Sequence, residues 1–156
     1  MDVDALLADY AQVHAGKLYV TGAGINLLTP PVPGPPYVVH FALALTVTIP
    51  WQSTNQPHSL KVSLVDTDGE RVQLAEPTGD TPPDDRGKIL AQFNAGRSPI
   101  MQPGEDTVLP IALPFFGLAL PHPGSYRLII EMDDVETAGK TFRVLDPEAL
   151  HSFARR

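Results

Sequence analysis

An all-β antiparallel sandwich is the fold class this sequence predicts, and three observations carry the prediction. In Pro123 to Asp134, Tyr126, Leu128, Ile130 and Met132 share one phase of a period-2 pattern while Arg127, Glu131 and Asp133 share the other. That alternation is how a strand with one buried face reads, and Lys140 to Val144 follows a short polar turn as its hairpin partner. Short β-rich runs recur along the chain, bounded by Gly, Pro and Asp turn residues. No stretch shows a long 3.6-residue periodicity.

Taken in order, the first strand is expected over Ala5 to Val13, turned at Ala15-Gly16 and returned by Lys17 to Thr21. Gly22-Ala23-Gly24 opens like a dinucleotide fingerprint, but Leu27 replaces the third glycine and prolines follow, so these read as strand-end or bulge glycines. Thr29 to Pro36 is a stiff surface connection, because proline fixes φ and deletes a donor; its Pro-x-x-Pro spacings also suit a polyproline II ligand. Tyr37 to Ile49 is the longest strand. Phe41, Leu43, Leu45, Val47 and Ile49 form its core face, while His40, Ala42, Ala44, Thr46 and Thr48 form a small-residue face that is solvated or covered by something. Leu60 to Asp66 and Arg71 to Ala75 are joined by an Asp68-Gly69 hairpin turn, and a second long loop occupies Glu76 to Arg86. Strands are expected at Lys88 to Phe93, Thr107 to Leu113, Tyr126 to Asp133 and Lys140 to Leu145. A short C-terminal helix closes the chain, with Asp146 as N-cap, Pro147 at its first position, Glu148 in its first turn and Arg155-Arg156 at its negative end. Leu150 and Phe153 form its docking pair.

At 156 residues the chain fits one domain able to bury a core. It has no cysteine, which removes disulfides, thiolate metal sites and cysteine nucleophiles and suits the cytoplasm. The acidic start Met1-Asp2-Val3-Asp4 is unlike a signal peptide, and no run reaches the ~20 apolar residues of a membrane span. A net charge of −7 argues against nucleic acid and anionic membranes as partners.

No catalytic residue, metal ligand or cofactor motif emerges. Asp66-Thr67-Asp68-Gly69-Glu70 spaces three carboxylates as a calcium loop might, yet Arg71 and Pro77 stand where the turn glycine and bidentate glutamate belong, so a hairpin turn is expected. A weak calcium site would need Asp133 or Asp134 at the same end of the sandwich. His14, His40, His58, His122 and His151 show no spacing that sets two ligands on one element. Ser98 lies in Gly96-Arg97-Ser98-Pro99, a proline turn rather than a nucleophile elbow. The chain is therefore expected not to be an enzyme, with a hydrolase as the weakest of three functional readings.

Asp9-Tyr10-Ala11-Gln12-Val13, Gly16-Lys17-Leu18-Tyr19-Val20, Gly22-Ala23-Gly24, Ile49-Pro50-Trp51, Leu64-Val65-Asp66 and Pro123-Gly124-Ser125-Tyr126 occur in an order that resembles a family of small uncharacterised bacterial β-sandwich proteins. The resemblance spans nearly the whole chain. It implies a compact, cytoplasmic, immunoglobulin-like sandwich of no assigned activity, and it carries over no site residue.

The least ordinary apolar stretch is Val108 to Pro121, whose prolines confine it to a sheet edge, a natural place for association. The leading reading is a non-catalytic protein-interaction or structural module, self-associating as a homodimer, with His40, Phe115, Phe116, Leu118 and Leu120 as interface candidates. The alternative is a small-ligand domain using Tyr37, Trp51 and Phe115 at one end of the sandwich, where Trp51 otherwise caps the core.

Overall fold

The computed structural model describes residues 1–153, with side chains described for residues 1–150. In chain order the strands are β1 (Asp2–His14), β2 (Lys17–Ala23), β3 (Leu27–Leu28), β4 (Tyr37–Ile49), β5 (Pro57–Asp66), β6 (Arg71–Val72), β7 (Ile89–Asn94), β8 (Thr107–Leu120), β9 (Gly124–Met132) and β10 (Val135–Val144), followed by helix α1 (Pro147–Phe153). One sheet runs β2-β1-β4-β8 and the other β3-β10-β9-β5-β6, with β7 also paired to β5. Pairing is antiparallel except for β3, which runs parallel to β10.

The chain changes sheet at β2–β3, β3–β4, β4–β5, β7–β8 and β8–β9. That connectivity sets β1-β4-β8 against β10-β9-β5, the immunoglobulin-like arrangement. A tyrosine corner marks the last crossing: Tyr126, near the start of β9, donates its hydroxyl to the carbonyl of His122 at 2.6 Å. Phe41 stacks on Phe115 across one sheet and meets Phe142 of the other, with centroids 4.9 and 5.1 Å apart. Leu60, Val62, Leu64, Leu128 and Ile130 complete the opposing wall. Each such side chain contributes about 1.5–3 kcal/mol by leaving water.

Turn chemistry decides the hairpins. Ala15-Gly16 and Asp133-Asp134 both place two consecutive residues at positive φ, as a two-residue type I′ turn requires. Gly69, at φ +81°, turns β5 into β6 and sets Leu64 opposite Val72. Asp146 caps α1, its Oδ1 accepting from the N–H of Glu148 at 3.0 Å. The Phe153 half of the Leu150–Phe153 pair lies outside the described side chains, and Arg155-Arg156 outside the described residues.

Several expected boundaries move, each for a physical reason. β10 begins at Val135 rather than Lys140, because the turn needs two residues and a bulge between Glu136 and Ala138 hides the alternation. β6 stops at Val72, where the chain leaves β5 and Leu74 donates instead to the carbonyl of Gly87. β3 is two residues long, too short to leave a pattern. β8 reaches Leu120 rather than Leu113, for the reason developed below.

The alanine centre of the small-residue face of β4 is covered by the chain itself, while His40 at its end stays exposed. Ala8–Ala42 is the last β1–β4 pair, and beyond it β1 continues with β2 alone. Ala11, with Leu18 and Val20 of β2, packs on Ala42, Ala44 and Ala112. Alanine allows the hairpin to lie close. Gly22 serves the same bend: at φ +66° any Cβ would overlap the Asp9 carboxylate.

Candidate interaction surface at the β8 edge

β8 is the outer strand of its sheet, and its sequence explains how it tolerates that place. Pro110 lies opposite Thr46 and Pro114 opposite Ala42, so the two share a phase. Proline donates no hydrogen bond, and it fits where the missing N–H would face away from β4.

The strand then changes phase. His40 pairs with Phe116 and Val39 with Leu118, which leaves Gly117 as an extra residue, a bulge at φ +78°. The Gly117 N–H donates to His40 Nδ1 at 3.0 Å. Before the bulge Leu109, Ile111, Leu113 and Phe115 face the core, and after it Leu118 and Leu120 do. Phe116 is left outside, 62% exposed.

The phase of β8 before and after the bulge corrects the interface candidates. Phe115 is 5% exposed and Leu120 fully buried, so both are core residues rather than surface ones. Leu118 packs partly on the core, while Phe116 and His40 remain on the surface. Beside Phe116 lies a groove of about 420 Å³, lined by Gln73, Leu74 and residues 114–119, with no ionisable group among them. β4 and β8 likewise contain no Asp, Glu, Lys or Arg in a chain of net charge −7. Sequence reasoning missed Gln73 and Leu74, which reach the groove from the segment after β6; Gly117 between Phe116 and Leu118 was the signal for the bulge.

The proposed ligand trio does not form a site. Tyr37 begins the 13-residue β4 and Trp51 follows its end, about 40 Å of strand apart at 3.3 Å per residue. Phe115 is stacked inside the core, and the Trp51 ring is covered by the Arg97 guanidinium, 4.0 Å from its centroid. Arg97 also donates to the Trp51 carbonyl at 2.9 Å and to Thr54 Oγ1, so this tryptophan anchors the loop after β7.

Two His–Asp pairs close the ends of the β5–β9 ribbon. His58, 6% exposed, faces Asp133 Oδ2 at 2.8 Å through Nδ1 and the Ser53 carbonyl at 2.6 Å through Nε2. Burial opposes its protonation, but the Ser53 carbonyl and the Asp133 carboxylate outweigh burial and hold the ring above its ordinary 6.5. His122 faces the Pro123 carbonyl and Asp66 Oδ2, both at 3.1 Å, and these two raise its pKa in that order. Asp66 and Asp133 fall below the ordinary 3.8: burial pushes each up and is outweighed, for Asp66 by His122 and the N–H groups of Glu70 and Asp68, for Asp133 by the Ser59 N–H and His58.

These pairs also dispose of the calcium reading. Asp66 Oδ1 accepts from Asp68 and Glu70 N–H, both at 2.9 Å, and its Oδ2 faces His122. Asp133 pairs near the start of β5 and Asp66 ends it, so the two carboxylates stand at opposite ends of the strand rather than the same end. Among the described residues no group of three or more His, Asp or Glu side chains is placed to hold a metal ion, and no described helix is long and apolar enough to cross a membrane.

The model of DUF6941, a family of unknown function, matches residues 3–145, from β1 to just past β10. The chain belongs to this family. Comparison with curated proteins finds no match for this DUF6941 chain. Among solved structures it is similar to a β-glucosidase from Listeria innocua in complex with glucose, at 9% identity and TM-score 0.37, over 92% of this chain and 16% of that enzyme's. It is also similar to an immunoglobulin-like protein from Pseudomonas aeruginosa, at 13% identity and TM-score 0.36, over 92% of this chain and 95% of the other. The DUF6941 chain spans 16% of the β-glucosidase. Its own strand order and tyrosine corner carry the fold assignment.

Proposed function

We propose that this chain is a cytoplasmic, non-catalytic protein-interaction module that docks through the charge-free β8 edge around Phe116. The observation that carries the reading is Phe116 itself: Phe115 before it and Leu118 beyond the bulge turn inward, and the ring is held outside, 62% exposed beside a groove with no ionisable lining residue. Aromatic side chains in such settings anchor interfaces, since they bury a large rigid area at low entropic cost. The non-catalytic part is supported by the two polar clusters. His58 and His122 each engage both ring nitrogens with oxygen partners, which leaves no free lone pair for a general base.

Covalent footprinting compares Phe116 in the source cells with Phe116 in dilute purified protein. Protection of residues 114–119 in cells, with equal labelling of exposed positions elsewhere such as Ile100, is the expected result. Equal labelling of Phe116 in both settings would contradict the reading.

A further inference from the structure

We infer that the occupant of this surface is a second copy of the chain, with Phe116 of each copy seated in the groove of the other. This rests on the reading of the β8 edge as a docking surface and names its partner. Three observations converge on it. Knob and groove lie in one patch, since Phe116 borders the cavity formed by Gln73, Leu74, Pro114, Leu118 and Ala119. A two-fold contact requires this, because the same patch must serve as both halves of the interface. The groove, about 420 Å³, is roomy enough for a phenyl ring.

Charge is the second observation. Two copies at −7 repel each other as wholes, and a contact where neither carries charge adds no close like-charge pair to that repulsion. The groove lining has no ionisable group, and the outer strand β8 supplies 14 residues without Asp, Glu, Lys or Arg. A strand of that length runs about 45 Å, long enough to contribute to the roughly 800 Å² per partner that a standard interface buries.

The third observation fixes the mode of contact. Strand addition along β8 needs outward N–H donors, yet Pro110 and Pro114 have none and the Gly117 N–H is already given to His40. The copies therefore meet through side chains rather than through a continued sheet.

Sedimentation velocity over a dilution series of the full-length chain tests this, with Phe116→Asp removing the knob and Ala119→Trp filling the groove. Both positions are exposed, and unchanged melting temperatures establish that the variants fold. The wild type is expected to show a monomer–dimer equilibrium that each variant weakens by about 30-fold or more, the effect of losing an interface anchor. An equimolar mixture of the two variants retains one intact knob-and-groove contact and dimerises better than either alone. A wild type that stays monomeric throughout, or a dimer indifferent to both variants, would overturn the inference. If the wild type stays monomeric while Phe116 is protected in cells, the docking surface stands with a different partner. If Phe116 is unprotected as well, the docking reading falls too.

Discussion

Gly117 is the residue on which the surface turns. At φ +78° with nothing within 4 Å of a Cβ placed there, it pays only in backbone conformation, so Gly117→Ala should lower stability by about 1–2 kcal/mol through strain rather than clash. His40→Ala removes the acceptor of the Gly117 N–H and should cost about 0.5–1.5 kcal/mol, with a larger loss in self-association than in melting temperature. A variant that lost the two in step would mark His40 as a fold residue alone. Leu128→Ala, fully buried, should cost about 2–5 kcal/mol, whereas exposed Ser125→Ala should stay within about 0.5 kcal/mol; chemical denaturation reads both. The Tyr126–Met132 alternation was legible because each residue reports its own face. The inward turn of Leu118 and Leu120 was not, because Gly117 inserted before them reverses the phase for everything after it, while Phe116 keeps the outward phase set by Phe115.

Strand by strand, the β5–β9 ribbon is pinned at both ends by charge. His58 and His122 hold pKa values raised above 6.5, so their stabilisation is complete below pH 6.5 and is lost as pH rises through the folded values above it. Asp66 and Asp133, lowered below 3.8, stabilise above pH 3.8 and lose this as pH falls through their folded values. Scanning calorimetry should therefore show melting temperature highest between about pH 4 and 6.5. The double variant His58→Gln, His122→Gln should flatten the alkaline decline, and an unaltered decline would assign it to other groups. None of this was visible in the sequence, since the paired residues stand 75 and 56 positions apart. The hairpin at Asp68-Gly69 was legible for the converse reason, its whole chemistry lying within a few residues. The loop over residues 76–86 belongs with the ribbon: Asp85 near its end meets Lys61 at 2.9 Å and Lys88 at 3.2 Å, which fastens a proline-rich connection to the outer face of β5.

For the whole molecule, sandwich architecture was readable from alternation and turns, and the closing helix from its cap. What could not be read was which strand face the chain would cover for itself: Ala42 and Ala44 read as a face either solvated or covered by something, and the β1–β2 hairpin folds onto them. That removes one candidate surface and leaves the β8 edge. Because two acidic copies must approach, dimerisation should tighten as salt rises from low to moderate ionic strength, where screening weakens their repulsion. Tightening on dilution of salt would point to a polar, charge-paired contact instead. The most direct measurement replaces Phe116 with a benzophenone-bearing residue in the source cells and photo-crosslinks them. The account predicts a product of twice the subunit mass, absent when the same residue stands at Ser125. A product equally strong from both positions, or none from Phe116, would contradict it.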